Sequence, residues 1–407
     1  MRLTIERLSL HADGVGQGPE GAIHAPMVLP GEVIEGEPEA GRIASPKIET
    51  PSAARVKPPC PHYRACGGCV LQHGSDEFVA GWKASVVETA LAGRGIVAKV
   101  ARVETSPLHS RRRATLSGRR TKKGVLVGFH ARASETLVEV PGCLILRPEL
   151  MEAIPAVEAA TALGASRKGE VSFALTLSEA GVEIAARGGK PMDRALFEAL
   201  SDLATRHDLA RLSWEGETVA ERRPARQAFG RARVTPPPGA FLQATDAGEA
   251  ALVAFVRAAT KGAARVADLF AGCGTFALAL ADEAEIHAVE SSAPMLEALD
   301  RGWRTAQGLK RVTHEARDLF RRPLLPDELA RYDAIVIDPP RAGAEAQVQQ
   351  ICASKTRNLA YVSCNPVSFA RDAAALTAAG FEIADLIVVD QFRWSSHIEL
   401  AARFTRR

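Results

Sequence analysis

From residue 246 to the C-terminus, apolar runs of strand length alternate with runs of helix length, and this alternation limits the possible folds more than any other feature. A helix-like stretch over 246–260 leads to the strand-like RVADLF, a glycine turn and the helix-like FALALADEA. The strand-like EIHAVE, a helix around 293–306, and the strand-like RVTHEA and YDAIVID follow. Strands separated by helices of this length cannot pair as tight hairpins; they pair in parallel, with helices on both faces of a doubly wound α/β sheet. The break Pro236-Pro237-Pro238-Gly239 marks where this unit begins, so 236–407 is expected to be one domain.

The first 56 residues read differently. LTIERLSL, AIHAPMVL and EVI are short β-like runs broken by Asp13-Gly14-Val15-Gly16-Gln17-Gly18 and Pro30-Gly31, the pattern of a small β-barrel. A proline-rich joint (Pro46, Pro51, Pro58, Pro59) leads into a mixed region, 57–235. There a helix is expected over 76–92, strands near 125–129, 136–140 and 171–186, and a second helix near 193–206.

The net charge of +3 conceals a segregation. Residues 1–56 carry 5 basic and 8 acidic side chains, 57–130 carry 13 and 4, and the rest 33 and 36. A basic block in a near-neutral chain is the footprint of a polyanion-binding protein, although a solvated lysine- and arginine-rich surface gives the same count. No apolar run approaches the length of a membrane span, and the N-terminus lacks the apolar core of a secretory signal, so a cytoplasmic protein is expected.

The glycine turn Asp268-Leu269-Phe270-Ala271-Gly272-Cys273-Gly274-Thr275-Phe276 lies between strand and helix, where small residues let a ligand approach the backbone. Glu290 ends the next strand, where a carboxylate accepts both hydroxyls of a ribose. The third glycine of a dinucleotide fingerprint is missing, which favours S-adenosylmethionine (SAM) over a dinucleotide. Asp318 follows the third strand and Asp338 ends the fourth, in Ile337-Asp338-Pro339-Pro340-Arg341. Any one such aspartate is commonly a helix cap. A series of acids at successive strand ends marks the ligand-binding edge of an open sheet. Arg341 stands where amine methyltransferases tend to carry a base-stacking aromatic residue, so amine methylation is disfavoured.

Tyr361-Val362-Ser363-Cys364-Asn365-Pro366 places a cysteine at a polar turn just past a strand, unlike a structural cysteine inside an apolar run. Near the end, His397-Ile398-Glu399-Leu400 places a carboxylate in a strand-like setting. In order along the chain, Gly239-Ala240-Phe241-Leu242-Gln243, DLFAGCGTF, IDPPRAG, VSCNP and HIE resemble the SAM-dependent RNA uracil-5 methyltransferase family, and the resemblance covers nearly the whole chain. It implies a Rossmann-like SAM methyltransferase domain at 236–407, a mixed α/β RNA-binding domain at 57–235, and a β-barrel resembling the TRAM domain at 1–56. It also implies that Gln243, Phe270, Thr275, Glu290, Asp318 and Asp338 contact SAM. Thr275 and Thr245 stand where many members have asparagine.

The chemistry accounts for these residue types. Carbon 5 of uracil is too weak a nucleophile to take a methyl group from a sulfonium, so a thiolate first adds to carbon 6. By resemblance Cys364 is that thiolate, and Glu399 removes the carbon-5 proton before elimination. A cytosine-5 RNA methyltransferase uses the same addition but usually has a second cysteine beside the Asp-Pro-Pro prolines, absent here. An inactive RNA-binding module would have no need of Cys364 and Glu399.

Seven cysteines in a long chain without a secretory signal point to metal binding or thiol chemistry, not disulfides. Cys60, Cys66 and Cys69 form a tight trio, and Cys143 is available as a fourth ligand, for zinc or an iron–sulfur cluster. The resemblance favours a four-iron four-sulfur cluster, and with it large-subunit ribosomal RNA over transfer RNA as substrate. The basic run Arg111-Arg112-Arg113, Arg119-Arg120 and Lys122-Lys123 is expected to contact phosphates. Arg341 and Phe392 are candidates to stack on a flipped uridine. A monomer is favoured, although the sequence leaves the oligomeric state open.

Overall fold

The computed structural model describes all 407 residues. Eight strands form the C-terminal sheet, in the order Val312–Ala316, Glu285–Glu290, Arg265–Leu269, Ala334–Ile337, Asn358–Ser363, Leu400–Thr405, Glu382–Asp390 and Arg102–Thr105. The strands from Val312–Ala316 to Asn358–Ser363 run parallel, and Leu400–Thr405 is antiparallel to both its neighbours. The chain builds outward from Arg265–Leu269, then returns to its other side with Ala334–Ile337. That reversal opens a crevice at the carboxyl ends of these two strands.

Both faces of the sheet are covered, so the central strands are apolar without alternation. Within Ala334–Ile337, Ile335 and Ile337 enter one core and Ala334 and Val336 the other. The helix expected over 246–260 is Asp246–Ala259, capped by the Thr245 hydroxyl, which accepts from Gly248 N–H at 2.9 Å. FALALADEA is helical only to Leu280, because the chain must turn back within four residues to enter the strand at Glu285.

Helix Asp76–Ala92 and strand Arg102–Thr105, read from sequence as part of 57–235, complete this C-terminal unit. The strand extends the sheet edge in parallel with Glu382–Asp390. The helix packs against Pro366–Ala378 and buries Val79, Trp82, Val86 and Leu91 in the same core.

The rest of the middle region is a mixed α/β unit. Its seven-stranded sheet runs Leu137–Val138, Gly124–His130, Arg113–Thr121, Glu170–Ser178, Gly181–Arg187, Arg211–Trp214, Glu217–Glu221. Only Gly181–Arg187 and Arg211–Trp214 pair in parallel, as helix Arg194–Arg206 requires by carrying the chain across. Phe173 and Trp214 meet edge to face at 6.3 Å in its core. At the N-terminus, two three-stranded antiparallel sheets surround a small core that includes Ile5, Val28 and Ile34.

Candidate active site

A cavity of about 560 Å³ occupies the crevice at the sheet's switch point, and Gln243, Phe270, Thr275, Glu290, Asp318, Asp338, Cys364 and Glu399 all line it. The structure therefore brings together every cofactor and catalytic candidate read from sequence. Phe241, Phe320, Arg111, Arg341, Phe392 and His397 complete much of the wall.

The floor is made by the glycine turn. Phe270, Gly272 and Gly274 all have positive φ (62°, 56° and 97°), and a Cβ on Gly272 would meet nothing within 4 Å because that face is open. Asp268 does not line the cavity. Its Oδ2 accepts from Ala277 N–H at 2.8 Å, fastening the turn to the following helix, and full burial pushes its carboxyl up to about 8. Glu290 accepts from Gly272 N–H at 3.1 Å and from Ser292 N–H at 2.9 Å, which directs its carboxylate across the turn. Phe270 and Phe320 lie 5.4 Å apart beside Asp318, an aromatic corner suited to a flat heterocycle.

Strand register brings the two catalytic candidates together. Ser363 is opposite Leu400 in the antiparallel ladder, so Cys364 and Glu399 are the next positions outward on neighbouring strands. Asn365 caps the helix Pro366–Ala378 by accepting from Val367 N–H at 3.0 Å, and its Nδ2 donates to the Arg341 carbonyl at 2.9 Å. The Asn-Pro pair thus ends the strand, starts the helix and leaves Cys364 at the helix's positive end.

A helix N-terminus favours a thiolate. Burial, followed by the charges of Glu399 and Asp338, outweighs it and pushes Cys364 up to about 11, against the opposing effect of Arg341. Burial also holds the Asp338 and Glu399 carboxyls well above the usual range, and Asp338 raises Glu399 further. The cavity is thus crowded with acids, and the protonated forms of Asp338 and Glu399 are favoured. A cationic ligand would relieve it, and SAM carries a sulfonium.

Gln391, which sequence reading passed over, and Arg112 and Thr245, which it gave other roles, hold this arrangement. The Gln391 side chain contacts Gln243, Glu399 and the backbone of Ala244. Arg112 does not face phosphates: it is 5% exposed and bonds Asp246, Glu249 and the Gln243 carbonyl. Thr245, expected near the cofactor, is a buried helix cap that also bonds the Ser106 hydroxyl. These roles follow only from the partners that the fold brings within reach, since nothing in the neighbouring sequence distinguishes a buried Arg112, Thr245 or Gln391 from an exposed one.

The mouth of the cavity is cationic and aromatic. Arg113 lies over Phe241 at 5.1 Å and Arg111 over Phe392 at 5.5 Å, while Arg341 donates to His397 Nδ1 at 2.9 Å. Phe241 is 58% exposed. Arg120, Lys122 and Lys123 are exposed around the turn joining Arg113–Thr121 to Gly124–His130.

Cys60, Cys66, Cys69 and Cys143 stand near enough for their charges to act on one another, and burial with this mutual repulsion pushes Cys69 up to about 12. No three of them, nor any other group of His, Cys, Asp or Glu side chains, are gathered closely enough to hold a metal ion as placed.

The chain is 43% identical over 405 residues to a protein of Brucella suis named as an RNA methyltransferase, covering 100% of this chain and 98% of that one. Residues 232–407 match the tRNA (uracil-5-)-methyltransferase family. A 23S rRNA (uracil(1939)-C(5))-methyltransferase of Chromohalobacter salexigens is 33% identical over 430 residues, covering 99% of this chain and 89% of that one. The chain belongs to the SAM-dependent RNA uracil-5 methyltransferases. The fold is shared with a Pyrococcus abyssi tRNA (uracil-54, C5)-methyltransferase solved with S-adenosyl-L-homocysteine, at a TM-score of 0.78 and 22% identity over 100% and 99% of the two chains. No helix is long and apolar enough to cross a membrane.

Proposed function

We propose that this uracil-5 methyltransferase acts on a uridine of large-subunit ribosomal RNA, in the cytoplasm, through a covalent adduct on Cys364. The observation that carries the mechanism is the register placing Cys364 and Glu399 on adjacent strand ends in the cavity shared with the SAM candidates. The Cys364 thiolate adds to carbon 6, and carbon 5 takes the methyl group from SAM, releasing S-adenosylhomocysteine. Glu399 accepts the carbon-5 proton as the Cys364–carbon bond breaks and the ring double bond re-forms. Ribosomal RNA is favoured over transfer RNA because the 23S rRNA enzyme matches nearly the whole chain at 33% identity.

Gln243, Phe270, Thr275, Glu290, Asp318 and Asp338 would hold SAM, with Glu290 on the ribose and Asp318 beside the adenine. Phe241, Arg111, Arg113, Arg341 and Phe392 at the mouth would receive a uridine turned out of its stack. Cys60, Cys66, Cys69 and Cys143 are the right donor type for a four-iron four-sulfur cluster but would have to draw closer together to hold it, and the cluster would then be a structural pin for the RNA-binding middle domain. Iron and sulfide analysis tests this; zinc without iron would contradict it.

The decisive experiment incubates the protein and SAM with ribosomal RNA carrying 5-fluorouridine. Fluorine cannot leave as a cation, so the adduct is expected to persist on denaturing gels and to map to Cys364. Absence of any covalent species despite tight RNA binding would overturn the mechanism. Mapping 5-methyluridine after gene deletion decides between ribosomal and transfer RNA.

A further inference from the structure

The side chain of Gln391 is 2% exposed and lies between two candidates of the site above without lining the cavity itself. Its orientation is settled by one backbone group. Ala244 N–H can only donate, and it lies 2.7 Å from Gln391 Oε1. The Gln391 NH2 therefore faces the other way, donating to Gln243 Oε1 at 2.6 Å and to Glu399 Oε2 at 3.2 Å. With its carbonyl occupied, Gln243 has its own NH2 left for an acceptor on a ligand.

The seat of Gln391 is shaped for it. A Cβ on Gly248, in the first turn of helix Asp246–Ala259, would lie 2.8 Å from Gln391 Cβ, so the glycine makes room for the side chain. Gln391 follows directly on strand Glu382–Asp390, and Val389 N–H donates to the Glu399 carbonyl at 2.8 Å. The backbone and side chain of this short segment thus both grip Glu399.

We propose that Gln391 is a positioning residue that ties the amide of Gln243 to the carboxylate of Glu399, so that the ligand-binding group and the base are held as one unit. Gln391 can only donate to Glu399, so it favours the carboxylate as acceptor, the form that removes a proton. The proposal rests on the reading of Glu399 as the base.

The test compares Gln391→Met, which removes the amide, with Gln391→Glu, which keeps an acceptor for Ala244 but loses both donors. Gly248→Ala leaves the amide intact and crowds its seat. Each enzyme is given SAM and ribosomal RNA from cells lacking the gene, and rates are expressed per site titrated with S-adenosylhomocysteine, which removes misfolded protein from the comparison. All three variants are expected to release methylated RNA more slowly, by up to roughly 10²-fold. The RNA–enzyme adduct should accumulate, and the pH profile of release should move to higher pH in Gln391→Met. Wild-type release with an unmoved pH profile in Gln391→Met overturns the proposal. Full activity of Glu399→Gln would instead overturn the reading of the base, so the two failures are distinguishable.

Discussion

Lys83 Nζ lies 2.5 Å from Asp390 Oδ1, an ion pair between residues 307 positions apart whose side chains are 0% and 1% exposed. The same ammonium donates to the carbonyls of Phe392 at 3.1 Å and His397 at 2.9 Å. All three donor hydrogens of Lys83 are thus spent on the segment that precedes Glu399. The 391–398 segment is held from outside as well, because Val70 and Leu71 N–H both donate to the Trp394 carbonyl, at 2.8 and 3.0 Å.

Removing one partner of such a pair leaves a buried charge without compensation. Lys83→Met is expected to lose about 3–5 kcal/mol of stability, and Lys83→Met with Asp390→Leu to lose less than Lys83→Met alone. Urea unfolding followed by circular dichroism measures both. Equal loss in the single and double variants would mean that the pair contributes nothing beyond packing.

Separating the two steps of the reaction requires two variants. Cys364→Ala is expected to abolish methyl transfer, whereas Glu399→Gln should form the adduct and release it about 10²–10⁴-fold more slowly. Single-turnover assays with radiolabelled SAM, quenched onto denaturing gels, distinguish them. A Glu399→Gln enzyme that accumulates no adduct places the proton acceptor elsewhere.

The thiol of Cys364, pushed up to about 11 by burial and by Glu399 and Asp338, is protonated at neutral pH in the free protein. Alkylation by iodoacetamide requires the thiolate, so its rate should rise with pH with a midpoint near pH 11. A bound sulfonium opposes the acidic neighbours, and the midpoint should fall in the presence of sinefungin, a SAM analogue that is cationic at the same position. Site-resolved mass spectrometry follows Cys364 apart from the other cysteines. An unchanged midpoint would mean that the cofactor's charge does not reach the sulfur.

Arg120, Lys122 and Lys123 lie at an exposed hairpin turn, outside the cavity wall. Changing all three to alanine should weaken RNA binding mainly at moderate salt and reduce the slope of log affinity against log salt by about 3. Filter binding over a salt series measures the slope. An unaltered slope would show that phosphates do not reach this turn.

The doubly wound sheet and its glycine turn were legible in the linear chain from local rules: a period of residues, a turn that favours small side chains, an acid at a strand end. The eight site candidates found in the cavity wall were legible from motifs that resemble the uracil-5 methyltransferase family. Cys364 and Glu399 are 35 positions apart in the chain, and only the ladder that sets Ser363 against Leu400 makes them neighbours. The same holds for Arg112, which composition assigns to RNA and the fold assigns to Asp246 and Glu249. A charge count cannot tell a solvated guanidinium from a buried one. The sequence by itself determined which chemistry this protein carries, because motifs are short and their geometry is local. Tertiary structure alone decided that Lys83 and Gln391 hold the segment that carries Glu399, because a buried polar side chain takes its role from whichever partners the packed chain brings within hydrogen-bond reach.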